Sequence, residues 1–130
     1  MLKSIQTQHA PQAIGPYSQA IEANGFIFCS GQVGVDPATK SVADGIEAQT
    51  HQVMKNLQAV LQEAGSDFSH VVKTTIYLVH IADFSKVNEI YGQYFPDHKP
   101  ARATVEVSKL PKGSLSSDPL VEIEAIAVKK

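Results

Sequence analysis

The sequence predicts an α+β fold in which two helices cover one face of a mixed β-sheet. Three observations lead to this prediction. Strand-like segments with period-two alternation occur towards both ends of the chain, a long segment of helical periodicity lies between them, and a shorter helical segment follows it. With 130 residues, of which 43% are hydrophobic, we expect a single domain spanning residues 1–130 with a core of its own.

The composition excludes several classes of protein. A formal net charge of -2 gives no electrostatic footprint for nucleic acid, and no apolar run is long enough to span a membrane. The single Cys29 rules out an internal disulfide. The first residues show neither a signal core nor an Arg-rich presequence. We therefore expect a soluble cytoplasmic protein, or a mitochondrial one if a presequence has been removed.

The first quarter of the chain is predicted to contain an edge strand, a loop and a hairpin. Residues 2–7 alternate weakly, and residues 10–17 contain two prolines and a glycine, so they form a loop that ends at Tyr17. Two short strand-like runs then flank Asn24-Gly25, which is a strong signal for a β-hairpin.

Two helices follow. Asp44 and Glu47 have the spacing of a capping box, and Gly65 occupies the place of a C-terminal glycine cap. Asp83 is expected to cap a second helix that ends before Pro96. The expected buried stripe of the first helix comprises Ile46, Thr50, Val53, Met54, Leu57, Val60, Leu61 and Ala64, and that of the second comprises Phe84, Val87, Ile90, Tyr91 and Tyr94.

The remaining strands carry charges within apolar sequence. Residues 71–79 predict an interior strand, and residues 100–108 and 121–128 predict two more. Arg102 opens the first of these two, and Glu122 and Glu124 lie in the second. The sheet face without helices would expose apolar side chains, so we expect a homo-oligomer to cover it.

Several motifs in order along the chain resemble the reactive intermediate deaminase family, also called the Rid or YjgF family. The resemblance covers essentially the whole length. Its motifs are Ala13–Ala20, Phe28–Gln32, Val72–Thr75, Pro100–Ala103, Leu110–Lys112 and Val121–Ala127.

The resemblance implies a chorismate-mutase-like fold, assembled as a homotrimer with active sites in the clefts between subunits. It also implies hydrolysis of enamine/imine intermediates, such as 2-aminoacrylate, to 2-keto acids and ammonia. Pyridoxal-dependent dehydratases release such intermediates, and the family needs neither a metal nor an organic cofactor for the reaction.

Site roles follow from the resemblance. Arg102 is the implied anchor of the substrate carboxylate, a role that suits a guanidinium with its paired donors. Glu122 is the residue expected to hold the attacking water as acid or base. Tyr17 and Ser30 complete the pocket through their hydroxyls.

The backbone amides of Gly31 and Thr104 are implied to contact the ligand. Many family members have cysteine where Thr104 stands, so no thiol can act there in this chain. The loop Gly113–Pro119 is longer than usual and could alter substrate preference at the cleft rim.

Each candidate also has a structural interpretation. Arg102 could be solvated or pair with a carboxylate, and Glu122 or Glu124 could be exposed or salt-bridged. Tyr17 could be a packing aromatic, and the Ser30 hydroxyl could bond a neighbouring backbone group. We interpret Glu124 as structural. Cys29 is expected to be an inert buried thiol, and the five histidines have no metal-ligand spacing.

Three functions compete. The first is imine/enamine deamination, and the second is RNA cleavage or inhibition of translation, which some relatives are credited with. A slightly acidic chain with 7% aromatic residues argues against the second. The third is a non-enzymatic trimer that binds small carboxylates.

Overall fold

A computed structural model describes residues 1–130, which form one six-stranded sheet and two α-helices. In chain order the elements are β1 (Lys3–Ile5), β2 (Ala20–Ala23), β3 (Phe26–Val33), α1 (Gly45–Glu63), β4 (Val71–Leu78), α2 (Phe84–Gln93), β5 (Ala101–Glu106) and β6 (Val121–Val128). Short 3₁₀ turns precede β4 and α2. The strands lie in the order β1-β2-β3-β6-β4-β5.

The sheet is mixed, as predicted. Strands β4 and β5 are parallel, and every other neighbouring pair is antiparallel. Strand β4 lies between β6 and β5, which confirms its interior position, whereas β1 and β5 are the two edges. Neither helix has the length and apolar character needed to cross a membrane.

The hairpin between β2 and β3 is confirmed. Asn24 and Gly25 both have positive φ angles, 52° and 79°, as the two central residues of a type I′ turn require. This turn matches the twist of the strands, so the local sequence is sufficient to place it.

Both helices pack on one face of the sheet over a continuous core. The alternate residues Val121, Ile123, Ala125 and Ala127 of β6 are buried beneath them. The predicted stripe of α1 is buried except for Ile46, which is half-buried against the same core. The predicted stripe of α2 is also confirmed, with Phe84 and Tyr94 half-buried at its ends.

The C-terminus of α1 is closed by a Schellman motif. Gly65 has a φ of 78°, and its amide donates to the Gln62 carbonyl at 3.1 Å. The Ser66 amide donates to the Leu61 carbonyl at 2.8 Å. The predicted glycine cap is therefore correct.

The two predicted aspartate caps are wrong, since neither side chain bonds a helix amide. Asp44 is followed by Gly45 at a φ of 86°, so α1 does not begin with the regular first turn that a capping box requires. Asp83 has helical backbone angles because a 3₁₀ turn leads directly into α2, whereas a capping side chain needs a non-helical backbone.

Not every polar side chain of α1 faces solvent. The Gln49 and Asn56 side chains are buried, and each bonds the backbone of a connecting segment. Gln49 Oε1 accepts from the Leu120 amide at 2.8 Å, and Asn56 Nδ2 donates to the Val35 carbonyl at 2.9 Å. These two residues fix the segment after β3 and the segment before β6 against α1.

The sheet face opposite the helices carries apolar side chains that remain accessible, as expected. Phe26 and Phe28 on β3 are 42% and 46% exposed, and their ring centroids lie 6.3 Å apart. Val105 on β5 is 42% exposed. We call this surface the open face.

Candidate active site

Glu122 lies on the open face, near the start of β6. Its cross-strand partners are Val33 on β3 and Tyr77 on β4. Glu124 follows two residues later and therefore points to the same side of the sheet. The predicted pair of carboxylates is thus placed together on the side away from the helices.

Gly31 provides the space in which the Glu122 carboxylate lies. The register of β3 against β6 shifts between Cys29 and Gln32, and Gly31 is inside this irregular segment. A Cβ atom at Gly31 would lie 2.6 Å from Glu122 Oε2 and 2.7 Å from its Cδ. The absence of a side chain at Gly31 is therefore required by the position of Glu122 and not by the backbone, since its φ is not positive.

The electrostatics of the open face favour the protonated form of Glu122. Burial raises the pKa of the Glu122 carboxyl, and the negative charge of Glu124 raises it further. Burial, followed by the charge of Glu124, also raises the pKa of the Tyr77 hydroxyl. A glutamate whose pKa moves towards neutrality is suited to exchanging a proton with water.

Ser30 connects β3 to the loop that ends at Tyr17. Its hydroxyl donates to the Ser18 carbonyl at 2.6 Å, and its amide donates to the Gln19 carbonyl at 3.0 Å. The Ser30 hydroxyl therefore bonds a neighbouring backbone group, as the structural interpretation of this residue expected. Its oxygen can still accept a hydrogen bond from a ligand or from water. The Tyr17 side chain is 54% exposed beside this junction.

The Tyr17 loop is itself fixed by Gln19, which was not among the predicted site residues. Gln19 is buried, and its amide group accepts from the Thr7 amide at 2.7 Å and donates to the Thr7 and Pro11 carbonyls at 3.1 and 2.7 Å. One polar residue thus satisfies the backbone of an irregular segment.

Arg102 lies on the other side of the sheet from Glu122, against α2. Its Nη1 donates to Asn88 Oδ1 at 2.7 Å. Its Cζ lies 5.4 Å from the centroid of the Phe84 ring and 4.9 Å from that of Tyr91, which is cation–π geometry. No carboxylate forms an ion pair with Arg102. Asn88 was not among the residues predicted for the site, although the apolar stripe of α2 indicated this face of the helix.

A cavity of about 400 Å³ opens beside the Arg102 guanidinium, and its volume suits a small ligand. The lining residues include Asn88, Tyr91, Phe95 and Lys99, and none of them is acidic. Thr104 follows Arg102 by two residues on the edge strand β5 and therefore points to the same side of the sheet.

One chain does not bring all the predicted site residues together. Glu122 and Gly31 share the open face, and Ser30 adjoins them, while Arg102 and Thr104 point to the helix side. Strand β4 separates β5 from β6. A substrate the size of a small 2-imino acid therefore cannot contact Arg102 and Glu122 of the same chain at once.

The structure shows no arrangement of side chains suited to metal binding or to catalysis by a cysteine nucleophile. No group of three or more His, Cys, Asp or Glu side chains is arranged to hold a metal ion. Burial raises the pKa of the Cys29 thiol to about 12, so this thiol is not a nucleophile at neutral pH.

Comparison with known proteins places the whole chain among close relatives. A family model described as "Endoribonuclease L-PSP" matches residues 7–129. The human 2-iminobutanoate/2-iminopropanoate deaminase is 49% identical over 125 residues, which cover 95% of this chain and 88% of the human protein.

Solved structures agree closely with this fold. The Rid-family protein YyfA from Yersinia pestis has a TM-score of 0.92 at 50% identity, covering 98% of this chain and 99% of that one. TdcF from E. coli with bound serine has a TM-score of 0.90 at 37% identity, covering 98% and 99%. The mixed sheet with two helices on one face is thus shared with these proteins.

Proposed function

Because the chain belongs to the YjgF/Rid family, whose model is described as "Endoribonuclease L-PSP", we propose that it is an imine deaminase. Its substrates are reactive enamine/imine intermediates such as 2-aminoacrylate/2-iminopropanoate and 2-iminobutanoate, which it hydrolyses to 2-keto acids and ammonia. The observation that best supports this is Arg102, whose guanidinium is held beside a cavity with no acidic partner. Such a cation is free to bind a substrate carboxylate.

In the proposed mechanism Arg102 binds the substrate carboxylate and fixes the C=N carbon. Water adds to this carbon of the protonated imine, and Glu122 takes the proton that the water loses. Glu122 then returns the proton to nitrogen, ammonia leaves as the carbon–oxygen double bond forms, and the remaining hydroxyl proton is released. The raised pKa of Glu122 suits both steps, because the group must accept and donate the same proton near neutral pH. Tyr17, Ser30 and the amides of Gly31 and Thr104 orient the substrate and water in this proposal.

We place the site between two copies of the chain, within a homotrimer. The support is geometric, since Arg102 and Glu122 point to opposite sides of one sheet, so that only a second copy can complete the set. The accessible Phe26, Phe28 and Val105 of the open face are the apolar surface that such an assembly would bury.

For the compartment we propose the cytoplasm. The chain has one cysteine, Cys29, which is free and buried, and free thiols are usual in a reducing compartment.

The experiment couples the protein to a pyridoxal-dependent threonine or serine dehydratase and follows keto-acid release. We expect the wild-type protein to accelerate keto-acid release clearly and Arg102→Ala to abolish this acceleration. The matched control Lys86→Ala removes an exposed cation from α2 and should leave the rate unchanged. Full activity in Arg102→Ala, or no acceleration by the wild-type protein, would contradict the proposal.

RNA cleavage is the second candidate, because the family description names an endoribonuclease. It needs a cationic surface, and the chain has a net charge of -2. Single-stranded RNA binding that weakens steeply with salt, together with cleavage that survives Arg102→Ala, would favour it. Keto-acid binding without turnover would favour the third candidate, a non-enzymatic carboxylate binder.

A further inference from the structure

One stripe of α2 surrounds the Arg102 guanidinium. Phe84, Asn88 and Tyr91 are four and three residues apart, the spacing that places side chains on one helix face. All three contact Arg102, through two aromatic rings and one amide oxygen. We call this stripe the α2 clamp.

Contacts of Tyr91 with β4 and with Phe95 hold the α2 clamp in place. Tyr91 is buried, and its hydroxyl shares a hydrogen bond of 2.7 Å with Oγ1 of Thr74, which is also buried, on β4. Its ring packs against Phe95 at a centroid distance of 4.7 Å. These contacts hold the ring beneath the guanidinium in place, which limits the conformations that Arg102 can adopt before a ligand arrives.

The clamp carries no charge. A guanidinium at a strand edge is commonly held by a carboxylate, which gives a stronger bond but neutralises the cation. Here the rings of Phe84 and Tyr91 and the oxygen of Asn88 hold the group, and no acidic side chain pairs with it. The cation is positioned, and its charge stays available.

We propose that the α2 clamp positions Arg102 without neutralising it, and that Asn88 thereby sets the preference of the site for anionic substrates. The inference rests on the proposed function, in which Arg102 binds a 2-imino acid carboxylate. Asn88 acts through Arg102, so it is a positioning and specificity-determining residue. Its amide and a carboxylate have nearly the same shape, so the charge at this one position can be tested alone.

The test is Asn88→Asp, with Ser85→Asp as the matched control. Both substitutions place one new negative charge on an exposed position of α2, but Ser85 lies outside the clamp. The probes are 2-oxobutanoate and its uncharged amide, measured by calorimetry. We expect Asn88→Asp to weaken 2-oxobutanoate binding roughly 10- to 100-fold, since the new carboxylate competes for the guanidinium. Binding of the amide should change little, and Ser85→Asp should alter 2-oxobutanoate binding by no more than about twofold.

Kinetics in the coupled dehydratase assay separate positioning from general damage. Asn88→Asp should raise KM by a similar factor and leave kcat within a few-fold, because Asn88 acts on the cation that binds the substrate and not on the catalytic carboxylate, which in the proposed site belongs to a neighbouring copy. Tyr91→Leu should also raise KM. Tyr91→Phe keeps the ring and should therefore retain most of the affinity for 2-oxobutanoate. Melting temperatures confirm that each variant is folded.

Three results would overturn the inference. These are wild-type binding by Asn88→Asp, equal weakening by Asn88→Asp and Ser85→Asp, or equal loss of affinity for the acid and its amide. Arg102→Ala distinguishes this failure from failure of the proposed function. If Arg102→Ala loses turnover while Asn88→Asp behaves as wild type, only the role of the clamp is refuted.

Discussion

Replacing Gly31 by alanine should remove Glu122 from its place without disturbing the fold. The added Cβ would lie 2.6 Å from Glu122 Oε2, 2.7 Å from Cδ and 2.9 Å from Cγ. Carbon atoms do not approach so closely, and three successive atoms of one side chain are affected. A small shift of the carboxylate does not relieve all three contacts, so Glu122 must adopt another rotamer.

The expected loss equals that of removing the catalytic carboxylate. A positioned general acid or base contributes roughly 10²- to 10⁴-fold to a rate, so we expect Gly31→Ala to lower kcat at least about 100-fold. KM should change little, because in the proposed site the substrate carboxylate is bound by Arg102 of the neighbouring copy, which Gly31→Ala does not alter. Stability should change little as well, since the conflicting atoms belong to a half-buried side chain that can move away.

The assay compares Gly31→Ala, Glu122→Gln and the double variant in the coupled dehydratase reaction. If Gly31 acts through Glu122, the double variant is no slower than Glu122→Gln alone. Multiplicative losses would show that Gly31 acts independently, for instance through its amide. A normal kcat in Gly31→Ala with a low kcat in Glu122→Gln would refute the steric argument directly.

Three further predictions concern stability. Gly34→Ala places a Cβ atom 2.7 Å from the Cα of Gln49, a backbone atom of α1 that cannot rotate away. The free energy of unfolding measured in urea should therefore fall by about 1–3 kcal/mol, and wild-type stability would contradict this. The raised pKa of Glu122 means that the folded state binds this proton more tightly than the unfolded state does, so stability falls as pH rises from the ordinary glutamate range through the raised pKa. Glu122→Gln should therefore melt above wild type at pH 7 and match it below about pH 4, and a lower melting temperature at pH 7 would refute the pKa direction. Gln19→Ala leaves the Thr7 and Pro11 backbone groups without partners, which should lower the free energy of unfolding by about 1–3 kcal/mol or more. Hydrogen exchange at the Thr7 amide should become faster, and unchanged exchange there would argue against this anchoring role.

Features set by neighbouring residues could be predicted from the sequence. Asn24-Gly25 determines its own turn because both residues tolerate positive φ, and Gly65 ends α1 for the same reason. The two aspartate caps failed because each depends on the backbone angles at the start of its helix: Gly45 has a positive φ directly after Asp44, and a 3₁₀ turn gives Asp83 helical angles.

The sequence identified candidate residues without their arrangement. Alternation predicts that Glu122 and Glu124 share a face, but not which face, since strand order is set by long-range pairing. The contacts of Arg102 with Asn88 and of Gly31 with Glu122 join distant parts of the chain, so no local pattern reports them. The roles of these residues in catalysis remain predictions.

Subunit complementation tests most directly the claim that the site spans two copies of the chain. Arg102→Ala and Glu122→Gln are each expected to be inactive alone. When the two are co-expressed in equal amounts, random mixing pairs an intact Arg102 with an intact Glu122 in about a quarter of inter-subunit sites, so about a quarter of wild-type activity should return. If the mixed assemblies form and stay inactive, each site lies within one chain and the proposed inter-subunit site is wrong.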